Sequence, residues 1–169
     1  LIPAAHMNTR YILTSEHWFG GGIDLTPTFP EDNETSFFHK ELQKICNSYN
    51  DKCYKKYSKW CDDYFFLPHR KEARGIGGIF FDQLNSGDWE KDFSFVKEVG
   101  IGFKDIFPKI INNKLNDNWT DDQKRKQLIK RGRYVEFNLI HDRGTKFGLE
   151  TDGNTEAILM SLPPLASWP

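Results

Sequence analysis

Polar and apolar residues alternate along two segments near the start of the chain, which is the pattern of half-buried β-strands. Residues 6–13 carry β-branched and aromatic side chains, and a period of two places His6, Asn8 and Arg10 on one face of the predicted strand. Residues 18–25 (WFGGGIDL) predict a second strand, in which three consecutive glycines indicate a bulge or a close approach of the backbone.

Apolar residues that recur at spacings of three and four predict four helices further along the chain. The expected helices span residues 31–49, 51–66, 89–112 and 121–131. The buried stripe of the first is expected to consist of Phe38, Leu42, Ile45 and Tyr49. Thr120 and Gln123 have the spacing of a capping box, which predicts the start of the fourth helix.

The third predicted helix contains residues that disfavour a regular helix. Gly100, Gly102 and Pro108 predict an interruption or an end within residues 89–112. The residues expected to face mostly inward from this helix are Phe93, Val96, Ile101, Phe103 and Phe107.

The last third of the chain returns to an alternating pattern. Residues 134–141 predict a strand, and residues 146–150 predict a second strand that pairs with it as a hairpin. A Gly-rich turn at 75–78 leads into a short buried strand at 79–81. Hairpin-like strand pairs among helices, without regular βαβ units, predict an α+β fold with an antiparallel sheet, in a single domain over residues 1–169.

Composition and charge limit the classes of partner. The chain has 169 residues, a net charge of −1 and no apolar run near the roughly 20 residues of a membrane span. We therefore expect neither nucleic acid nor a membrane as a partner. Cys46, Cys53 and Cys61 cannot all pair and form no CxxC motif, which predicts free thiols in a reducing compartment, the cytoplasm.

Residues 60–82 contain an unusual mixture of side chains. Acids, His69, Arg70, Arg74 and clustered aromatics occur together with a Gly-rich turn. A core strand does not need His and Arg, and a solvent loop does not need the aromatics, so the mixture predicts the wall of a pocket for a large, flat organic anion. The alternative is a helix end followed by a buried strand with charges on its rim.

Together with residues 60–82, five other segments form an ordered set of blocks. They are residues 6–11 (HMNTRY), 18–27 (WFGGGIDLTP), 131–139 (RGRYVEFNL), 142–149 (DRGTKFGL) and 158–164 (ILMSLPP). In this order the blocks resemble those of the oxygen-dependent coproporphyrinogen-III oxidase family. The resemblance covers essentially the whole chain and begins and ends inside the family pattern, which suggests a fragment that lacks both termini.

The resemblance implies a fold, a reaction and partners. It implies a large antiparallel sheet with helices on both faces, and a homodimer whose contacts would lie over residues 134–169. It implies oxidation of two propionates of coproporphyrinogen III to vinyl groups, which gives protoporphyrinogen IX in haem biosynthesis. O2 accepts the electrons without an organic cofactor, and a divalent metal cation is an option.

The resemblance also implies which residues form the site. His6 matches the family's proton donor, and Asp24 matches a pocket carboxylate that accepts the pyrrole N–H groups. The candidates for substrate binding are Asn8, Thr9, Arg10, Arg70, Arg74, Asp152, Gly153 and Asn154. The positions that match metal ligands of bacterial members are His6, His39 and His69. Asn154 stands where bacterial members typically have Arg, and its amide cannot form a bidentate contact with a carboxylate.

Each residue type suits this chemistry, and each has a simpler explanation. Arginine binds carboxylates through two parallel charge-assisted bonds, but a surface ion pair is the common alternative. Asp24 could instead accept a hydrogen bond in a turn before Pro27, and His6 could lie on the wet face of an edge strand. His39 could be a satisfied core histidine. The full set of arginine candidates is Arg10, Arg70, Arg74, Arg131, Arg133 and Arg143.

Two other functions remain open, namely a non-catalytic tetrapyrrole-binding module and a three-histidine metal hydrolase. Two further motifs are discounted. The glycines of residues 75–78 lack the preceding strand and following helix of a dinucleotide-binding loop. The basic run 124–133 lies beside Asp121, Asp122 and Glu136, which favours a solvated helix face over a nucleic-acid site.

Overall fold

The computed structural model describes residues 1–169 and contains five strands and six helices. The strands are β1 (Ala4–Leu13), β2 (His17–Thr26), β3 (Phe66–Leu67), β4 (Glu72–Ala73) and β5 (Gly78–Leu84). The helices are α1 (Asp32–Tyr49), α2 (Cys53–Tyr64), α3 (Trp89–Asn112), α4 (Asp121–Ile140), α5 (Arg143–Glu150) and α6 (Thr155–Leu159). β1, β2 and β5 form a three-stranded antiparallel sheet in that order, and β3 pairs with β4 in a small separate hairpin.

The two predicted N-terminal strands form one long ladder. His6 lies opposite Asp24, Asn8 opposite Gly22, and Arg10 opposite Gly20. Because successive side chains of a strand point to opposite faces, the polar residues of β1 and the carboxylate of Asp24 share one face of the sheet. The expected placement of His6, Asn8 and Arg10 on a common face is confirmed.

The two faces of the sheet pack against different layers. On one face, Ile23, Phe81 and the buried side chains of α1 and α3 belong to a core of 15 buried residues. On the other face, Phe80 belongs to a second core with Cys61, Phe65, Leu67 and Phe137 of α4. Strand β5 is buried on both sides because its alternate side chains enter the two cores. The α+β class is confirmed, although a sheet of three strands is smaller than expected.

Helix α3 differs from the prediction in two ways. It runs unbroken from Trp89 to Asn112 with Pro108 inside it, so the expected interruption is wrong. Phe93 and Ile101 are exposed, and the buried stripe consists of Phe95, Val96, Val99, Ile106 and Ile110. A Cβ atom on Gly102 would lie 2.2 Å from Ile45 Cδ1, so this glycine allows α3 to approach α1 closely rather than ending the helix.

The predicted hairpin of residues 134–150 is wrong, because both segments are helical. The capping box of Thr120 and Gln123 is present and starts α4, which continues to Ile140. Asp142 then accepts a hydrogen bond from the N–H of Thr145 and caps α5. Tyr134, Glu136 and Asn138 are all buried, as is Phe137. Because α4 is buried on several sides, its apolar residues do not follow the spacing of an amphipathic helix. The sequence there alternates as in a strand, and this explains the wrong prediction.

Cys46, Cys53 and Cys61 are free thiols, and Cys46 and Cys61 are fully buried. The three cysteines are thus free thiols, as the sequence predicts. None of the six helices combines the length and the apolar character that crossing a bilayer requires.

Candidate functional site

A cavity of about 440 Å³ lies between the polar face of the sheet and the start of α5. Its volume falls within the range of small-molecule sites. The twelve lining residues combine strand residues, aromatic residues and the DRG segment before and within α5: His6, Asn8, Thr9, Arg10, Tyr64, Phe65, Phe80, Asp82, Asp142, Arg143, Gly144 and Phe147. Five of the candidate residues named from the sequence therefore line one cavity: His6, Asn8, Thr9, Arg10 and Arg143.

His6 connects this cavity to a buried ion pair. Its Nδ1 lies 3.3 Å from Oδ1 of Asp24, and Oδ2 of Asp24 accepts a 2.5 Å hydrogen bond from Nη2 of Arg74. Asp24 and Arg74 are only 4% and 2% exposed, and neither lines the cavity. Asp24 thus lies behind His6 and does not face the cavity itself. It can influence the cavity only through its contact with the imidazole ring of His6.

Asp24 stays ionised in spite of its burial. Burial alone would raise the pKa of its carboxyl group, but the charge of Arg74 and the hydrogen bond from His6 outweigh that effect and lower the pKa below its usual value. Arg74 is in turn enclosed by aromatic rings, with Cζ 3.8 Å from the ring centre of Phe65 and 4.7 Å from that of Phe137. Arg74 therefore acts as an internal counter-ion to Asp24 and does not line the cavity.

Arg10 lies flat on the sheet at the edge of the cavity. Its Nη2 is 3.0 Å from Oδ1 of Asp82, and its Nη1 donates to Oδ1 of Asn8 at 3.1 Å. A Cβ atom on Gly20 would lie 2.6 Å from Cζ of Arg10, so the glycine provides the space that the guanidinium occupies. Arg10 is half-buried and paired, yet it still lines the cavity.

Aromatic and polar groups hold the opposite wall of the cavity. Tyr64 stacks on Phe80 with ring centres 4.5 Å apart, and its hydroxyl donates to Oδ1 of Asp142 at 3.0 Å. The same hydroxyl accepts the backbone N–H of Arg143 at 3.1 Å, and the Arg143 guanidinium lies over the Tyr64 ring at 5.2 Å. This wall combines a flat apolar surface with an exposed cation.

Arg70 and His69 belong to a separate ionic cluster outside the cavity, centred on Glu136. Arg70 binds Glu136 through both its Nε (2.9 Å) and its Nη2 (2.6 Å), and His69 Nε2 lies 2.8 Å from Oε2 of Glu136. Arg133 and the indole N–H of Trp168 also donate to Oε1 of Glu136. Chiefly because of the hydrogen bonds from Arg70, the pKa of Glu136 is well below its usual value. The guanidinium of Arg70 is therefore already satisfied by an internal carboxylate.

Similarity to known proteins identifies the family. The model of the coproporphyrinogen III oxidase family matches residues 1–169, the whole chain. The chain belongs to this family. It is 61% identical over 168 residues to the oxygen-dependent coproporphyrinogen-III oxidase of Rickettsia bellii, covering 99% of the chain and 60% of that protein. It is 62% identical over 164 residues to the protein of the same name from Rickettsia akari, covering 97% of the chain and 59% of that protein.

The chain thus spans about 60% of the length of the curated relatives that it matches. Family membership places the cavity of His6 and Arg10 in a domain of the coproporphyrinogen III oxidase type. The resemblance stated from the sequence blocks is confirmed.

The three histidines expected as metal ligands do not converge on one point. His39 Nδ1 lies 2.9 Å from the Tyr54 hydroxyl and its Nε2 lies 2.9 Å from the carbonyl oxygen of Ile76, so both ring nitrogens have partners in the protein. His69 contacts Glu136 and His141, and His6 contacts Asp24. No group of three His, Cys, Asp or Glu side chains is placed to hold a metal ion. The residues present do not fit a three-histidine metal centre.

Residues 152–154 lie in the turn between α5 and α6, and none of them lines the cavity. The amide oxygen of Asn154 accepts the N–H of Ala157 and caps α6, and Gly153 donates its N–H to the carbonyl oxygen of Gly148. Asp152 has a left-handed backbone with a φ of 58°. In this structure the three residues form a helix connection and are not brought together with His6 and Arg10.

Two features in and beside the site were not predicted from the sequence. The sequence pointed to Asp82 and Phe80 only as members of the segment 60–82, with no individual role. In the structure Asp82 pairs with Arg10, and Phe80 stacks on Tyr64 in the aromatic wall. The alternation of β5 could have revealed them, because Phe80 and Asp82 are two residues apart and face the same side. Glu136 was treated as a solvated acid, although it is a buried hub with four partners, and no local signal indicates this.

Proposed function

We propose that the protein that contains this chain catalyses the oxidative decarboxylation of two propionates of coproporphyrinogen III to vinyl groups. The product is protoporphyrinogen IX, and the reaction is a step of haem biosynthesis. The names of the Rickettsia relatives support the reaction class, since both are oxygen-dependent coproporphyrinogen-III oxidases. The observation that carries the proposal is the cavity in which His6, Asn8 and Arg10 meet an aromatic wall.

The electrons and atoms of the proposed step balance with O2 alone. One propionate group, CH2CH2COO−, loses a hydride equivalent from the carbon next to the ring and releases CO2, which leaves a vinyl group. O2 takes up that hydride equivalent and one proton and becomes H2O2. The reaction needs no organic cofactor as an electron carrier, because the electron-rich tetrapyrrole itself is oxidised by O2.

We assign the proton transfer to His6 and an orienting role to Asp24. Nδ1 of His6 faces the ionised carboxylate of Asp24, which favours a proton on Nδ1 and leaves Nε2 without a protein partner. A fixed tautomer next to a buried anion is the arrangement that makes an imidazole an effective general acid or base, worth about 10²–10⁴ in rate. Asp24 contributes through His6, and Arg74 keeps Asp24 ionised.

We propose that substrate binding is centred on Asn8, Thr9 and Arg10. Arg10 already has a half-buried carboxylate partner, Asp82, so a propionate of the substrate can compete for its remaining donors. Arg70, Arg74 and residues 152–154 remain proposed substrate contacts with less support, because the charges of Arg70 and Arg74 are paired with Glu136 and Asp24. We propose no step through a metal at His6, His39 and His69, since these residues are held by different partners.

Aerobic turnover of coproporphyrinogen III by the full-length protein tests the proposed function. We expect uptake of O2 and release of a product that becomes fluorescent protoporphyrin on oxidation, with neither event in the absence of O2. The variant Asp24→Asn keeps the shape of the buried side chain but removes its charge, and we expect kcat to fall about a hundredfold. Asp51→Asn, which changes an exposed carboxylate outside the cavity, is the matched control.

The outcomes separate the three candidate functions. Quenching of tryptophan fluorescence by the porphyrin without O2 uptake would identify a binding module. Activity that is lost with a chelator and restored only by a metal would favour a hydrolase. Unchanged turnover of Asp24→Asn would remove Asp24 and its pairing with His6 from the mechanism.

We further propose that the protein acts in the cytoplasm as a homodimer with contacts over residues 134–169. Three free thiols support a reducing compartment. Large apolar side chains that are exposed in this region support an interface: Leu139, Ile140, Phe147, Leu149, Met160, Leu165 and Trp168. Light scattering after size-exclusion chromatography tests it, with Met160→Glu expected to give monomer and Leu115→Glu, outside the region, as the control. A monomeric wild type would refute it.

A further inference from the structure

The charges around the cavity leave one cation without an acidic partner. Two arginines line the cavity, and Arg10 is neutralised by Asp82 at 3.0 Å. Asp142 is occupied by the Tyr64 hydroxyl and by the N–H of Thr145. Arg143 is exposed and forms no ion pair with an acidic residue. Its guanidinium lies over the Tyr64 ring, and its backbone N–H donates to the Tyr64 hydroxyl.

The neighbours of Arg143 hold it in place while they leave its charge available. The hydrogen bond from its backbone N–H to Tyr64, and the cap that Asp142 provides for α5, anchor the main chain at the cavity rim. The guanidinium lies over the Tyr64 ring, with Phe147 also lining the cavity. A guanidinium beside flat apolar surface is suited to a carboxylate on a flat ring system, because the ring covers the aromatic side chains while the carboxylate accepts the N–H groups.

The turn between α5 and α6, residues 151–154, contains no cationic side chain that could share this role. The side chain of Asn154 is used to cap α6 and cannot replace a guanidinium. We propose that Arg143, eleven residues earlier, is a carboxylate-binding residue of this protein and grips one acidic arm of a tetrapyrrole in the cavity. This inference rests on the proposed function and names a residue that decides substrate affinity.

Binding of coproporphyrin III, an oxidised tetracarboxylate analogue of the substrate, tests the inference in the full-length protein. Tryptophan quenching gives the Kd, and the uncharged tetraamide of the same porphyrin serves as a second probe. For Arg143→Gln we expect the Kd of the tetracarboxylate to rise about tenfold, which corresponds to one lost charge-assisted contact, and the Kd of the tetraamide to stay unchanged. Arg143→Lys keeps the charge without the bidentate geometry and should show a smaller rise.

Arg125→Gln, which changes an exposed arginine on α4 away from the cavity, is the matched control and should bind as the wild type. Equal Kd values for wild type and Arg143→Gln would overturn the inference, as would equal affinity of the wild type for both probes. If Arg143→Gln did not fold, as judged by circular dichroism, an unchanged Kd for a folded Arg143→Lys variant would overturn it.

Turnover distinguishes failure of this inference from failure of the proposed function. If Arg143 holds substrate, Arg143→Gln should raise KM about tenfold and change kcat by less than about threefold, because the lost contact is the same in the ground state and the transition state. Wild-type oxidation of coproporphyrinogen III with an unchanged KM in Arg143→Gln would refute only the role of Arg143. Absence of wild-type oxidation would refute the proposed reaction itself.

Discussion

Individual side chains in this protein are held mainly by charge pairing. Asp24 and Arg74 form a buried pair, and Glu136 is shared by Arg70, His69, Arg133 and Trp168. Removing one partner of a buried pair leaves an uncompensated charge, at a cost of about 3–5 kcal/mol. Both Asn and Ala at position 24 leave the charge of Arg74 uncompensated, but Asn keeps an acceptor for Nη2 of Arg74. Asp24→Asn is therefore the more informative variant, and circular dichroism checks that it folds.

Glu136 makes stability depend on acid pH. Its hydrogen bonds, led by those from Arg70, lower its pKa in the folded protein, so its contribution to stability is complete above the unfolded-state pKa of about 4.3 and is lost as the pH falls below that value. We expect Glu136→Gln to lower the free energy of unfolding by roughly 2 kcal/mol at pH 7 and to flatten the decline between about pH 5 and pH 3.

Urea denaturation at several pH values measures this effect. The control is Glu150→Gln, which changes an exposed carboxylate at the end of α5. An acid decline in Glu136→Gln as steep as that of the wild type would show that other carboxylates dominate.

At the scale of elements, glycine positions decide how closely segments approach. Gly20 on β2 leaves room for the Arg10 guanidinium, and Gly102 on α3 leaves room for Ile45 of α1. Glycines inside a predicted helix suggest a break when only the local sequence is considered, but here the tertiary contact with α1 explains Gly102. Gly20 likewise contributes to the site, because the absence of its side chain leaves the space that the Arg10 guanidinium occupies.

We expect Gly20→Ala to displace the Arg10 guanidinium, because the new Cβ would lie 2.6 Å from Cζ of Arg10. Affinity for coproporphyrin III should fall several-fold, while the free energy of unfolding changes by less than about 1.5 kcal/mol. In an Arg10→Gln background the same substitution should have little further effect on binding, since the displaced group is already absent. Additive losses in the double variant would contradict this explanation of Gly20.

On the scale of the whole molecule, the thiols lie in environments of different burial. Cys46 and Cys61 are fully buried, and burial raises the pKa of the Cys46 thiol to about 12 and that of Cys61 above its usual value as well. Cys53 is half-buried at the start of α2. Since the thiolate is the reactive form, we expect a thiol reagent to modify Cys53 in the native protein and all three cysteines in denaturant.

Peptide mapping after labelling identifies the modified residues, and Cys53→Ser should leave Cys46 and Cys61 unlabelled in the native state. Rapid native labelling of Cys46 would show that the core of 15 buried residues opens readily, and rapid labelling of Cys61 would show the same of the second core.

Local pattern was a reliable guide where one face of an element is buried and the other is wet. The alternation of β1, the stripe of α1 and the capping box of α4 could all be predicted, because each depends on neighbouring residues alone. It failed for residues 134–150, where burial on several sides of α4 removes the periodicity of a helix. It also placed Phe93 and Ile101 of α3 inward although both are exposed, with Phe93 stacked on Trp89. Val96, Phe103 and Phe107 of the same helix pack in or against the core as expected.

By itself, the sequence determined the class of the fold, the family and the polar face of β1 that carries His6, Asn8 and Arg10. These follow from short-range periodicity and from ordered blocks of residues. Only the tertiary structure decided which charges are free and which are paired. It joined Arg74 to Asp24 and Arg70 to Glu136, separated the three histidines, and left Arg143 unpaired at the cavity. The physical reason is that an ion pair depends on distances between residues far apart in the chain, which no local pattern records.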